Sequence, residues 1–157
     1  MPRSNAVMRN RPASRCARVA TLLAAALLVP HAAAADPPVA PNHPLIGTWR
    51  FTVPDGSCAE TYRFRADGTS HVTSGEEVAE TEFRVSAKPS RKGFYEWVDT
   101  IVKDNGKKDC AGQITDVGRK TTTYIQFDAR AQRFIVCQDE SLDACFGPLR
   151  RVGGEDI

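Results

Sequence analysis

The residues whose types and positions could do chemistry in this chain are a few carboxylates, three histidines and five cysteines. Glu60 shares a face with Tyr62 in one short β-like segment. Glu96 stands in another whose two faces are both half apolar. Two such acids turned into one cleft could act as a general acid–base pair or as polar contacts to a bound molecule. At the rim of a barrel they would simply be wetted, as loop-proximal ends are. His43 lies between Asn42 and Pro44, and His71 follows a turn; neither has neighbours spaced for metal ligation or for activating a nucleophile. No Gly-x-Ser-x-Gly elbow, His-Glu-x-x-His pair or phosphate loop occurs. Asp104-Asn105-Gly106-Lys107-Lys108-Asp109 departs from the calcium-loop pattern, and its two lysines would repel the ion. Glu76, Glu77, Glu80 and Glu82 read as a solvated acidic face, with a weak cation or a basic partner as the alternative. These residues predict no enzyme, no metal and no cofactor.

The cysteines carry a firmer message. Cys16 lies before an apolar run, and Cys58, Cys110, Cys137 and Cys145 lie after it. Residues 1–35 have the order of a cleavable secretory signal: scattered arginines, an apolar run over Val19–Val29, a helix-breaking Pro30, then small residues at Ala33-Ala34-Ala35. The run is too short to span a bilayer, so an N-terminal anchor is the lesser alternative. Cleavage after Ala35 leaves 122 residues with four cysteines. An even count in a small exported domain implies two disulfides, and the preferred pairing is Cys58–Cys110 with Cys137–Cys145. The expected address is the periplasm or the exterior.

Removal of the signal also reverses the charge. The full chain has a formal net charge of +2, but the arginines of the first 35 residues leave with no acid, so the remainder carries 16 basic and 19 acidic residues. Such a chain is not expected to bind nucleic acid, which asks for a cationic face.

The elements that must position these residues are strands. Residues 36–44 are proline-rich and read as an extended leader. Turn residues then recur about every ten positions, at Pro54-Asp55-Gly56, Ala66-Asp67-Gly68 and Ser74-Gly75, in loops near 88–93 and 103–118, and again near 128–131 and 139–144. Strands are predicted near 46–53, 59–66, 69–74, 78–86, 94–103, 121–128, 132–138 and 145–151. This spacing predicts an all-β fold, a small antiparallel up-and-down β-barrel of about eight short strands over 45–152, followed by a tail at 153–157. Alternation places Trp49, Phe51 and Val53 inside, with Tyr62 and Phe64, Phe83 and Val85, and Ile125 and Phe127. One helical turn is conceivable around Ser141-Leu142-Asp143.

Gly47-Thr48-Trp49, opening the first strand, resembles the Gly-x-Trp with which lipocalins and lipocalin-like domains begin their barrel. Tyr62-Arg63-Phe64-Arg65-Ala66-Asp67-Gly68-Thr69 resembles the hairpin of small bacterial lipocalin-like domains. The resemblance implies that Trp49 packs across one barrel end beneath a basic residue from the last strand, for which Arg150 and Arg151 are the candidates. It covers mainly residues 45–70. The chain departs from the family in its short strands and in lacking an N-terminal helix. An exported binding protein for a small apolar or amphipathic ligand is therefore expected. Trp49, Tyr62, Phe64, Phe83 and Trp97 would line its site, with Glu60 and Glu96 as polar contacts. The alternative is a monomeric interaction module, such as a hydrolase inhibitor, acting through the rigid 103–118 loop and the 74–77 loop.

Overall fold

The computed structural model describes residues 39–153. The expected signal segment, the first part of the leader and most of the C-terminal tail lie outside the described residues. Eight antiparallel strands run in sequence order around a closed barrel: β1 (Gly47–Thr52), β2 (Ala59–Phe64), β3 (Thr69–Ser74), β4 (Glu77–Val85), β5 (Tyr95–Asp104), β6 (Lys120–Phe127), β7 (Arg133–Cys137) and β8 (Cys145–Arg151). Each strand pairs with the next, and β8 closes on β1 through Trp49 opposite Arg151 and Arg50 opposite Arg150. Among the described residues there is no helix, and 141–143 is an irregular loop.

Alternation of apolar and polar side chains sets which face each strand turns inward. In β4 the alternation is complete: Glu77, Ala79, Thr81 and Phe83 are buried, and the residues between them are exposed. The core contains Trp49, Phe64, Phe83, Trp97, Ile125, Phe134 and Leu149. Its rings meet edge-on, as in Phe64 against Phe83 at 5.1 Å and Trp49 against Phe134 at 4.7 Å. This geometry sets the positive edge of one ring against the negative face of the other.

The turns are built by local hydrogen bonds. Between β2 and β3 the Gly68 N–H donates to the Arg65 carbonyl, and the Arg65 N–H donates to the Thr69 carbonyl. Only Gly68 in this loop has a positive φ, at 80°. The connection is therefore a type I turn closed by a glycine bulge. Between β6 and β7 it is Ala131 that adopts a left-handed φ of 49°.

Two disulfides join Cys58 to Cys110 and Cys137 to Cys145, the pairing expected from the spacing. The second ties two directly opposed residues of β7 and β8. The first ties the start of β2 to the long loop between β5 and β6. The part of the leader that is described is not free extended chain. Val39 and His43 are buried and belong to the fold, as does Leu45 just beyond the leader. The apolar Val39 and Leu45 override the extended preference of the surrounding prolines by joining the core cluster.

Candidate functional site

The two ends of the barrel differ in chemistry. One end is shut by the segment before β1. The indole N–H of Trp49 donates to the Leu45 carbonyl at 2.8 Å, and Leu45 is fully buried. Arg151, the last residue of β8, lays its guanidinium over the Trp49 ring with 4.2 Å between Cζ and the centroid. The same guanidinium donates to the carbonyls of Ile46, Pro44 and Ala131. A cation over an indole face is attracted by the ring quadrupole. Gly47 makes room for it: a Cβ there would come within 2.5 Å of Arg151 Nη1, and the backbone φ of 129° also favours glycine. Burial of the Arg151 head lowers its pKa, and the arginine nevertheless stays charged at any ordinary pH. His43 completes this end. Its Nδ1 accepts from the Leu45 N–H at 3.1 Å, and its ring meets Tyr95 edge-on at 4.9 Å. Burial pushes the His43 pKa down, the backbone of Ser86 pulling slightly the other way.

The other end is acidic and partly open. β5 turns Tyr95, Trp97, Asp99 and Ile101 inward and Glu96 outward. Thr81 donates to Asp99 Oδ1 at 2.6 Å, which leaves Ser70 as the donor in its 2.7 Å hydrogen bond with Thr81. Burial raises the Asp99 pKa to about 6, against the smaller opposing effects of Thr81 and Trp97. The Trp97 indole N–H, also buried, falls short of hydrogen-bonding geometry. Burial also pushes up the pKa of Glu77; a contact with Thr115 opposes it, and Asp104 and Asp109 add to it. One Glu77 oxygen is buried without a partner.

Glu60 is held more completely. Tyr62 donates its phenol proton to Glu60 Oε2, and Ser74 donates to Oε1 at 2.8 Å. The Cys110 N–H in turn donates to Ser74 Oγ at 3.0 Å. The Tyr62 pKa is driven upward by burial first and then by the charge of Glu60. This relay couples the long loop to the barrel interior. The loop is seated from the other side as well, because a Cβ at Gly75 would meet the backbone of Lys108 and Asp109 at 3.1 Å.

A cavity of about 180 Å³ opens at this mouth. Tyr62, Trp97, Asp99 and Glu77 line it, with Ile101 and the loop residue Arg119. Of the residues expected to line a site, Tyr62 and Trp97 are there. Trp49, Phe64 and Phe83 instead pack against other rings and fill the interior. Glu60 points inward, and its oxygens are occupied by Tyr62 and Ser74. Glu96 corrects the expectation: it is exposed on the outer wall, so Glu60 and Glu96 do not form an acid pair. Both faces of β5 are half apolar, and the larger indole of Trp97 decides which one turns in. Asp99 and Glu77 were not among the expected site residues. Asp99 could have been found, because it shares a face with Trp97 at a spacing of two. Glu77 carried no signal beyond its place in an acidic run. Among the described residues, no group of three or more His, Cys, Asp or Glu side chains is arranged to hold a metal.

Comparison with models of known protein families, with curated proteins and with solved structures finds no match.

Proposed function

We propose that this is an exported lipocalin-like binding protein whose site is the acidic mouth of the barrel. The ligand is a small amphipathic molecule that presents a hydrogen-bond-donating or cationic head to Asp99 and Glu77 and an apolar part to Tyr62, Trp97 and Ile101. One observation carries this reading. Two inward carboxylates stand in the mouth beside aromatic walls, and neither has an ion-pair partner among the described residues. Arg119 lines the same cavity but forms no ion pair with either; burying such unpaired groups is costly, and a bound donor would repay it. The aromatic walls would add cation–π attraction. A 180 Å³ cavity limits the ligand to a small one, since pockets for drug-sized molecules begin near about 300 Å³.

Export is supported by the two disulfides, which persist in oxidising compartments. The lipocalin-like reading is supported by Gly47, Trp49 and Arg151, which meet at the closed end as that resemblance implies.

A second reading, a protein-interaction module, rests on the long loop. Ile114 and Val117 are 58% and 60% exposed on a segment anchored by Cys110. Mass spectrometry of the protein purified from its native compartment separates the two. Excess mass under native conditions that leaves on denaturation supports the small ligand. A bare chain that co-purifies with another protein, and loses it on Ile114→Asp, overturns that reading in favour of the loop.

A further inference from the structure

The outer wall of β8, β1, β2 and β3 carries a row of positive charge that the mouth does not use. Arg150 stands directly opposite Arg50 across β8 and β1. Arg50 stands opposite Thr61, and Arg63, two residues further on, stands opposite His71 across β2 and β3. The three arginines are exposed. Thr48, Thr52, Thr61 and Thr73 set hydroxyls between them, and together they bound a groove of about 830 Å³ into which no carboxylate projects. None of these arginines is in an ion pair among the described residues. Like charges directly opposed across a ladder destabilise it. Here Arg150 and Arg50 are so opposed, and Arg63 adjoins them on the same wall, in a protein whose remaining surface is on balance acidic.

We infer that this groove binds an extended acidic glycan, one with a carboxylate or comparable anion on each sugar. Arg150 and Arg50 face each other on neighbouring strands, about 4.8 Å apart, and Arg63 stands on the diagonal from Arg50, about 7–8 Å away; an extended chain with an anion on every ring can set successive anions against such a row. Arginine forks grip planar anions in pairs, and the intervening threonines can donate to and accept from sugar hydroxyls. The row is a strip and not a plane. The next strand, β4, turns Glu80 and Glu82 outward, opposite His71 and Thr69. A flat anionic bilayer pressed against this wall would meet those acids; a single chain would run beside them. The strip also lacks the free aromatic platforms on which single-stranded nucleic acid stacks. Its one phenyl ring, Phe51, is packed against Phe146, and its one imidazole, His71, stands between Arg63 and Glu80 of the neighbouring strands.

The test is isothermal titration calorimetry of the whole protein at low ionic strength with an eight-residue oligogalacturonate, which has one carboxylate per ring. Its neutral methyl ester, phosphatidylglycerol vesicles and an oligothymidylate are the competing probes. The acidic oligosaccharide should bind, and binding should weaken steeply with salt, because the contacts are exposed ion pairs. Arg50→Gln and Arg63→Gln should each weaken it on the order of tenfold, while Lys107→Gln, off the strip, should leave it unchanged. Near-ultraviolet circular dichroism of each variant reports whether the barrel is intact. Equal binding of the methyl ester, binding only to vesicles or only to the oligothymidylate, or no binding to any probe would overturn the inference. So would intact strip variants that bind as well as the parent.

Discussion

Asp99 and His43 pull the stability of the barrel in opposite directions with pH. The native Asp99 pKa of about 6 lies above its ordinary value. Native protein therefore holds a proton that the unfolded chain releases between roughly pH 4 and 6, and stability falls as pH rises through that window, by about 3 kcal/mol at most. His43 is lowered by burial. Its neutral form suits the closed end, so its contribution is present above about pH 6.5 and is lost as pH falls toward the native pKa. Asp99→Asn keeps an acceptor for Thr81 and removes the first effect. Urea midpoints measured from pH 4 to pH 7 should then show only the acid-side loss. Parallel profiles for parent and variant would show that Asp99 does not titrate in this window. Sequence alone turned Tyr62 inward by alternation, but it named Trp97 for the site without deciding which face of β5 turns in. It misassigned the acid of β5, because Glu96 and Asp99 lie on opposite faces and both faces carry apolar side chains.

The strands were legible as elements for physical reasons. β-branched and aromatic residues alternate with charged ones between clusters of Gly, Asp, Asn and Pro, and the expected boundaries agree with β1 to β8 to within two residues. What the sequence does not display is a conformation forced on a residue with no preference for it. Ala131 is held left-handed because the turn needs its N–H on the Asp128 carbonyl, and Arg151 Nε binds its own carbonyl. Ala131→Gly should therefore raise stability by up to about 1 kcal/mol, the strain relieved less the extra chain entropy. Gly68→Val, at a φ of 80°, should lower it by about 1–3 kcal/mol. Thermal melts of the two variants should shift in opposite directions; a fall for Ala131→Gly would show that the β6–β7 turn is unstrained. The leader was misread for a related reason. Its prolines favour extended chain locally, but Val39 and His43 are buried by a fold that only the assembled barrel provides.

At the scale of the molecule, the two disulfides do different work. Cys58–Cys110 spans 52 residues and Cys137–Cys145 spans 8. In the chain-entropy account the first contributes about 4 kcal/mol and the second about 2.5. Replacing both cysteines of the first pair with serine should be the more damaging change in urea denaturation. It alone should speed amide exchange across residues 105–118, because that loop loses its anchor beside Ser74 and Gly75. Equal exchange in both double variants would mean that the loop is seated by its hydrogen bonds and not by the bond to Cys58. The seating matters for the proposed site, since Thr115 and Arg119 form one wall of the mouth.

Arg151 reaches carbonyls 105 and 107 positions back along the chain, at Ile46 and Pro44. The polypeptide therefore has to be complete through its eighth strand before its first tryptophan can be covered. During synthesis Trp49 and its neighbours wait, exposed, for the last residue of the barrel to arrive. Long-range closure of this kind makes for slow acquisition of structure. It also leaves the first strand unclosed until the last one is made, whose arrival then shuts one end of the barrel and leaves the acidic mouth at the other.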